Sequence, residues 1–295
     1  MAFGTLAIPV MDVIAKVLVT DGLSGWHVAL ARFVAQGLLT LLLMPLMVAQ
    51  AGAAGKGGVI RPVVDDLRAA CTWTNAARGV ALASATGLFF SGLRYLSLPT
   101  STAILFLTPL ILTLLGGVVL RERVKRGTVL LCLTGFPCVL LITRPGTDVV
   151  GMAALLPLMA AFCFAGYFLL TRMAAKQGSP LAMLVVAAFT GAVFLAAVTV
   201  SMGAVHGDSG RIFQPLDGSA WLALAAIGIV STAAHVAITV AFSQAPASSL
   251  APLNYLEIVS ATILSFLVFG TLPDMPAVVG AVLIALIGLK IVRSG

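Results

Sequence analysis

Apolar residues run along this chain in successive blocks broken by short clusters of Gly, Pro and charged residues. Most blocks are about 17 to 25 positions long, the length a helix needs to cross roughly 30 Å of hydrocarbon. They predict membrane-spanning helices near residues 2–19, 26–49, 71–94, 99–120, 127–143, 149–172, 180–203, 219–242, 247–270 and 275–292. The longest intervening stretches, 50–70 and 204–218, are too short for a soluble domain, so any chemistry must occur at membrane depth or at its interface. The pattern is that of an all-α polytopic membrane protein with ten transmembrane helices.

Composition sharpens this picture. Of the 295 residues, 60% are hydrophobic and 9% charged, whereas soluble domains carry roughly a quarter charged residues. Such a chain cannot cover a globular surface with polar groups, and the bilayer must be its solvent. The first block lacks the preceding Lys or Arg of a signal peptide and is interrupted by Asp12 and Lys16, so it reads as a first span. The net charge of +7 does not mark a nucleic-acid surface, because the basic residues lie in short loops. With the N-terminus inside, eleven Lys and Arg residues fall in inside loops and tail, against three outside (Arg94, Arg144 and Arg211). That bias predicts that both termini face the cytoplasm, and the expected location is the cell's inner membrane. The four cysteines, Cys71, Cys132, Cys138 and Cys163, sit in or beside apolar blocks without metal-ligand spacing, which predicts packing roles.

Three internal matches divide the chain into units 1–146 and 147–295. Lys16 followed by Gly22 parallels Arg172 followed by Gly178. Leu98-Pro99-Thr100-Ser101 parallels Ala245-Pro246-Ala247-Ser248, and Gly127 with Gly135 parallels Gly280 with Gly288. All three fall in chain order and assign the same five-span unit twice. Because five is odd, the second unit enters from the opposite side, which predicts two inverted repeats around a central cavity.

Several of these segments resemble the EamA-like, ten-helix branch of the drug/metabolite transporter superfamily. Leu120-Arg121-Glu122-Arg123-Val124 is similar to the family's element after the fourth span, and Gly135-Phe136 through Thr143-Arg144-Pro145-Gly146 to the end of its fifth. Ala251-Pro252-Leu253-Asn254-Tyr255-Leu256-Glu257 and Phe269-Gly270-Thr271-Leu272-Pro273 resemble the ninth span and its following turn. Arg121, Pro137-Cys138 and Thr271 depart from the usual residues at those turns. The resemblance implies transport of amino acids, cationic drugs, nucleotide-like metabolites or vitamins, more often by export.

Ionisable residues inside spans are costly, about 2.5–3.5 kcal/mol each on insertion scales, and so point to partners or a wet cavity. Asp12 and Lys16 lie four apart on one helical face and read as a mutually neutralising pair. Arg32, expected at similar depth on the second span, would complete a cluster with one spare positive charge, either a structural ion-pair network or a carboxylate site. Glu257 lies in a stripe with Asn254, Ala261 and Ser265 and is the candidate for a substrate ammonium or, with Asp12, for a coupling proton, the alternative being a hydrogen bond to a neighbouring helix. His235 is a candidate relay or packing residue, and Tyr167 and Tyr255 are candidate cavity-lining rings or equally ordinary packing residues. Arg78, near the inner end of the third span, is expected to reach cytoplasmic water as an anchor. Trp26 and Trp221 mark span starts, and Pro109 with Gly116-Gly117 marks a hinge or close packing in the fourth.

Enzymatic readings fail on specifics. Gly-x-Ser-Gly occurs in two unrelated loops, at 22–25 and 207–210, with no base at matching depth. Residues 52–57 lack the spacing of a phosphate loop, and Asp65-Asp66 is too little for metal-dependent prenyl transfer. The expectation is a secondary transporter, monomeric or homodimeric, without cofactor or metal, working by alternating access. Its first expected activity is export of amino acids, whose carboxylate would meet Lys16 and Arg32 and whose ammonium would meet Glu257. The alternative is uptake of riboflavin or a nucleoside-type metabolite such as S-adenosylmethionine, and an intramembrane enzyme is kept as a minor third reading.

Overall fold

In a computed structural model, residues 2–50, 60–119, 150–174, 177–205, 217–244, 256–270 and 275–294 are described, with isolated positions between 127 and 138. The helices are α1 (Ala2–Thr20), α2 (Gly25–Gln50), α3 (Ile60–Ala70), α4 (Trp73–Gly92), α5 (Leu98–Leu105), α6 (Thr108–Val119), α7 (Val150–Ala153), α8 (Leu155–Ala174), α9 (Pro180–Val205), α10 (Gly218–Gln244), α11 (Leu256–Phe269) and α12 (Met275–Ser294). No strand occurs among the described residues. Only a helix satisfies every backbone polar group within its own segment, which is what a hydrocarbon surround demands.

By length and composition, six stretches among the described residues are fit to cross a bilayer: Phe3–Thr20, Gly25–Leu46, Leu98–Val119, Leu155–Ala174, Pro180–Met202 and Gly218–Ile238. Apolar side chains cover their outer faces, as at Leu42 and Val193, which are 68% and 70% exposed. A surface of that kind is tolerable only against lipid. The chain is a multi-pass membrane protein.

Local chemistry sets the helix ends. Ser97 accepts the Thr100 N–H at the start of α5, with Pro99 in the first turn where its missing donor costs nothing. Ser179 accepts the Ala182 N–H at the start of α9, and Asp217 does the same for Ala220 in α10. Between α5 and α6 the fourth predicted span breaks at Phe106 and Leu107, because Pro109 has no N–H to continue the ladder. The hinge expected there is thus a discontinuity between two short helices.

Four expectations need correction. The 50–70 interval contains α3, whose Val63 and Ala70 pack against Met44, Ala174 and Met183 while its polar face is exposed. Arg78 does not reach water: it is 4% exposed, deep between α4 and α8. Cys71, in the turn joining α3 to α4, is exposed where packing was expected, whereas Cys138 is buried. Trp26 packs its ring on Gly87 of α4, while Trp221 stays exposed at the start of α10 as an interfacial residue does. Cys132, Asn254 and Tyr255 lie outside the described residues.

The arrangement of helices places the core. The least apolar long helix, α4, has twelve of its 20 residues buried, because α2, α8 and α9 enclose it. Against α2 lie α9 and α10; against α1 lie α10 and α11; against α8 lie α4, α5 and α6. The α4–α9 crossing is close because Gly79 faces Ala187 and Thr190, and Gly191 faces Phe33 and the Gly79 carbonyl. A side chain at Gly79 would run into the α9 backbone. Gly79→Val is therefore expected to destabilise the bundle by about 1–3 kcal/mol, the usual range for overpacking. Detergent-phase thermal unfolding followed by size exclusion measures this, and an unchanged midpoint would contradict the close crossing.

Candidate solute-binding site

A cavity of about 200 Å³ lies inside the bundle, walled by α1, α2, α4, α8, α10, α11 and the α5–α6 break. Its polar groups are Asp12, Arg32, Thr86, Thr108, Tyr167, His235 and Glu257. Six aromatic rings share the wall: Phe89, Phe90, Phe106, Phe164, Tyr167 and Phe168. Aliphatic side chains such as Met11, Leu82 and Ile238 complete it. A mainly apolar hollow with a few convergent polar groups is the usual form of a small-molecule site.

Arg32 organises this wall. It is 2% exposed, and three of its nitrogens are held: Nε donates to Ser231 Oγ at 2.8 Å, Nη1 to Thr86 Oγ1 at 2.6 Å, and Nη2 to His235 Nε2 at 3.0 Å. Ser231 in turn donates to Gln36 Oε1 at 2.9 Å, and Thr86 to the Leu82 carbonyl at 2.9 Å. The guanidinium thus ties α2 to α4 and α10. A guanidinium can only donate, so His235 Nε2 must accept. The Nδ1 side then carries the proton and donates to the Ser231 carbonyl at 2.9 Å. This network occupies both imidazole nitrogens.

Of the residues singled out from sequence, Asp12, Arg32, Tyr167, His235 and Glu257 come together on this wall. Lys16 does not. Its ammonium donates to the Leu96 carbonyl at 2.7 Å and lies 5.5 Å from the centroid of the Phe269 ring, so the expected Asp12–Lys16 pair and the Lys16–Arg32 clamp are not assembled. The reason is reach: a long ammonium chain finds a backbone carbonyl beyond its own helix, and spacing along α1 cannot reveal it. Residues that the sequence reading missed are Thr86, Ser231, Phe106 and Phe164. Thr86 had a signal, since it stands four residues beyond Leu82 and eight beyond Arg78 on one face of α4.

These features define an all-helical multi-pass membrane protein with a partly polar hollow between its helices. Residues 151–292, just under half of the chain, match the EamA-like transporter family. The riboflavin transporter of Vibrio cholerae is 30% identical over 62% of this chain, a match that spans 59% of that protein's own length. The riboflavin transporter of Brucella anthropi is 28% identical over 73% of this chain and 75% of its own. The S-adenosylmethionine uptake transporter of Rickettsia bellii is 25% identical over 96% and 88%. A crystal structure of an 18% identical protein superposes with a TM-score of 0.61 over 99% of this chain and 96% of its own, a likeness of fold alone.

Removing the organising charge would strand its acceptors, at about 1–3 kcal/mol for each buried group left unpaired. Arg32→Ala and Arg32→Lys are both expected to lower the thermal midpoint in detergent, since an ammonium cannot span three acceptors in three directions. Thr86→Val, which removes one of them, is expected to have the smaller effect. Equal midpoints for Arg32→Ala and wild type would contradict the role given to this network.

Proposed function

We propose that this protein is a secondary transporter that takes up a flat, aromatic metabolite of the riboflavin or nucleoside type, by alternating exposure of the central cavity. The observation that carries the reading is the wall itself: six aromatic rings around a hollow that also presents Asp12, Glu257 and Arg32. Rings of this kind stack on a planar heterocycle, and the few polar groups fix its orientation. The named relatives transport riboflavin or take up S-adenosylmethionine, which favours the same class. The clamp expected for amino-acid export, Lys16 beside Arg32, is not formed, because Lys16 is bonded to Leu96.

The same reading includes ten spans in two inverted repeats. Helix neighbours support it. A two-fold axis in the membrane plane would exchange α1 with α8, α2 with α9, and α4 with α10. The α1–α10 contact then corresponds to α8–α4, and the α2–α10 contact to α9–α4, while α2–α9 is its own counterpart; all are present. Gly22 and Gly178, matched by sequence, both have positive φ, at 108° and 93°, as the turn after each repeat's first helix requires. Asp66 accepts from the backbone N–H and the hydroxyl of Ser179, and Thr72 donates to Gln177, which is consistent with both loops lying on the cytoplasmic side. With no nucleotide motif in the sequence, coupling would fall to protons taken up by Glu257 or Asp12.

The test is uptake into proteoliposomes of the purified chain, with labelled riboflavin, S-adenosylmethionine and a panel of amino acids, with and without a pH gradient. Saturable flux of riboflavin or S-adenosylmethionine is expected, and flux of amino acids alone would overturn the reading. Glu257→Gln, which keeps the size of the side chain, is expected to remove the response to the pH gradient. An unchanged response would rule out Glu257 as the coupling group.

A further inference from the structure

Among the described residues, Arg78 is a buried cation with little to satisfy it. It is 4% exposed, so it cannot reach water. Its Nη1 donates to Asn75 Oδ1 at 3.0 Å, one neutral acceptor a single turn away on the same helix. Its guanidinium carbon lies 5.3 Å from the centroid of the Tyr167 ring. Among the described residues, its buried Nε has no hydrogen-bond partner. Among the described residues, no acidic side chain lies within salt-bridge distance of it. The contrast with Arg32, whose Nε, Nη1 and Nη2 are all engaged, is direct.

Position connects Arg78 to the cavity. Arg78, Leu82 and Thr86 are spaced by four along α4 and therefore share one face, and Leu82 and Thr86 line the hollow. Tyr167 belongs to both: it lines the cavity and takes the Arg78 guanidinium on its ring. A guanidinium buried without an anion is costly, and planar donors of this kind match carboxylate or phosphate oxygens bidentately.

From this we propose that Arg78, behind the Tyr167 ring, is an anion subsite at one end of the cavity, which receives a carboxylate or phosphate carried by the transported solute. The inference rests on the transport reading above and adds to it. Rotation of Tyr167 exposes Arg78 to the hollow. The heterocycle then lies among the aromatic rings, any cationic group faces Asp12 and Glu257, and the anionic group meets Arg78. The solute is thus expected to bear an anionic group at one end of its aromatic body.

Binding to the purified full-length protein in detergent tests this with two matched pairs: riboflavin 5′-phosphate against riboflavin, and S-adenosylmethionine against its decarboxylated analogue. In at least one pair the anionic member is expected to bind roughly tenfold or more tightly, the scale of a hydrogen bond to a charged group. Arg78→Gln is expected to bring that ratio close to one, and Arg78→Lys to retain part of it. Equal affinities within both pairs for the wild type would overturn the anion subsite while leaving the transport reading intact, as would a ratio unchanged in Arg78→Gln. Binding of neither pair would overturn the transport reading, and the subsite with it. The wild-type ratio decides the matter even if the variants do not fold.

Discussion

The structure depends on the burial of one guanidinium. Arg32 sits where a charge has no water to turn to, and the fold answers with three acceptors from two other helices, Ser231, Thr86 and His235. Each acceptor is itself held, so the charge becomes a fixed strut between α2, α4 and α10. Paired, hydrogen-bonded charge is the form in which a bundle interior can retain ions. The consequence is a cavity wall with its own scaffold, on which Asp12 and Glu257 also lie.

The same constraint explains why α4 lies where it does. Its Asn75, Arg78 and Thr86 make it a poor helix for lipid, and enclosure by α2, α8 and α9 removes it from lipid. Glycines make that enclosure tight: Gly79 and Gly191 let α4 and α9 approach until backbone meets backbone, and Gly87 receives the ring of Trp26. Polar content and close packing are two faces of one arrangement, since a helix that carries charge must be surrounded by protein.

Much of this was legible in the sequence, because the bilayer enforces a one-dimensional rule. The predicted blocks 2–19, 26–49, 180–203 and 219–242 fall on helices Ala2–Thr20, Gly25–Gln50, Pro180–Val205 and Gly218–Gln244, since length and hydropathy alone decide them. The break in the fourth block was signalled by Pro109. What the sequence could not disclose was partnership across long separations. Lys16 was paired with Asp12 on spacing, yet its acceptor is Leu96, 80 residues on. Arg78 was read as an anchor from its place near a helix end, and the enclosure of α4 by α2, α8 and α9 makes it a buried cation. Helix α3 escaped because two buried residues, Val63 and Ala70, in an 11-residue helix are too weak a pattern beside full spans.

A hollow at mid-bundle has functional meaning only if it opens to each side of the membrane in turn. Phe106, at the break between α5 and α6, lines it and is 8% exposed, which makes the position a sensitive reporter. In a background with Cys71, Cys132, Cys138 and Cys163 replaced by serine, Phe106→Cys can be titrated with a membrane-impermeant thiol reagent applied from either side. The expected result is labelling from both sides, suppressed by riboflavin or S-adenosylmethionine. Labelling from one side alone, indifferent to either solute, would contradict a cavity that alternates between the two faces.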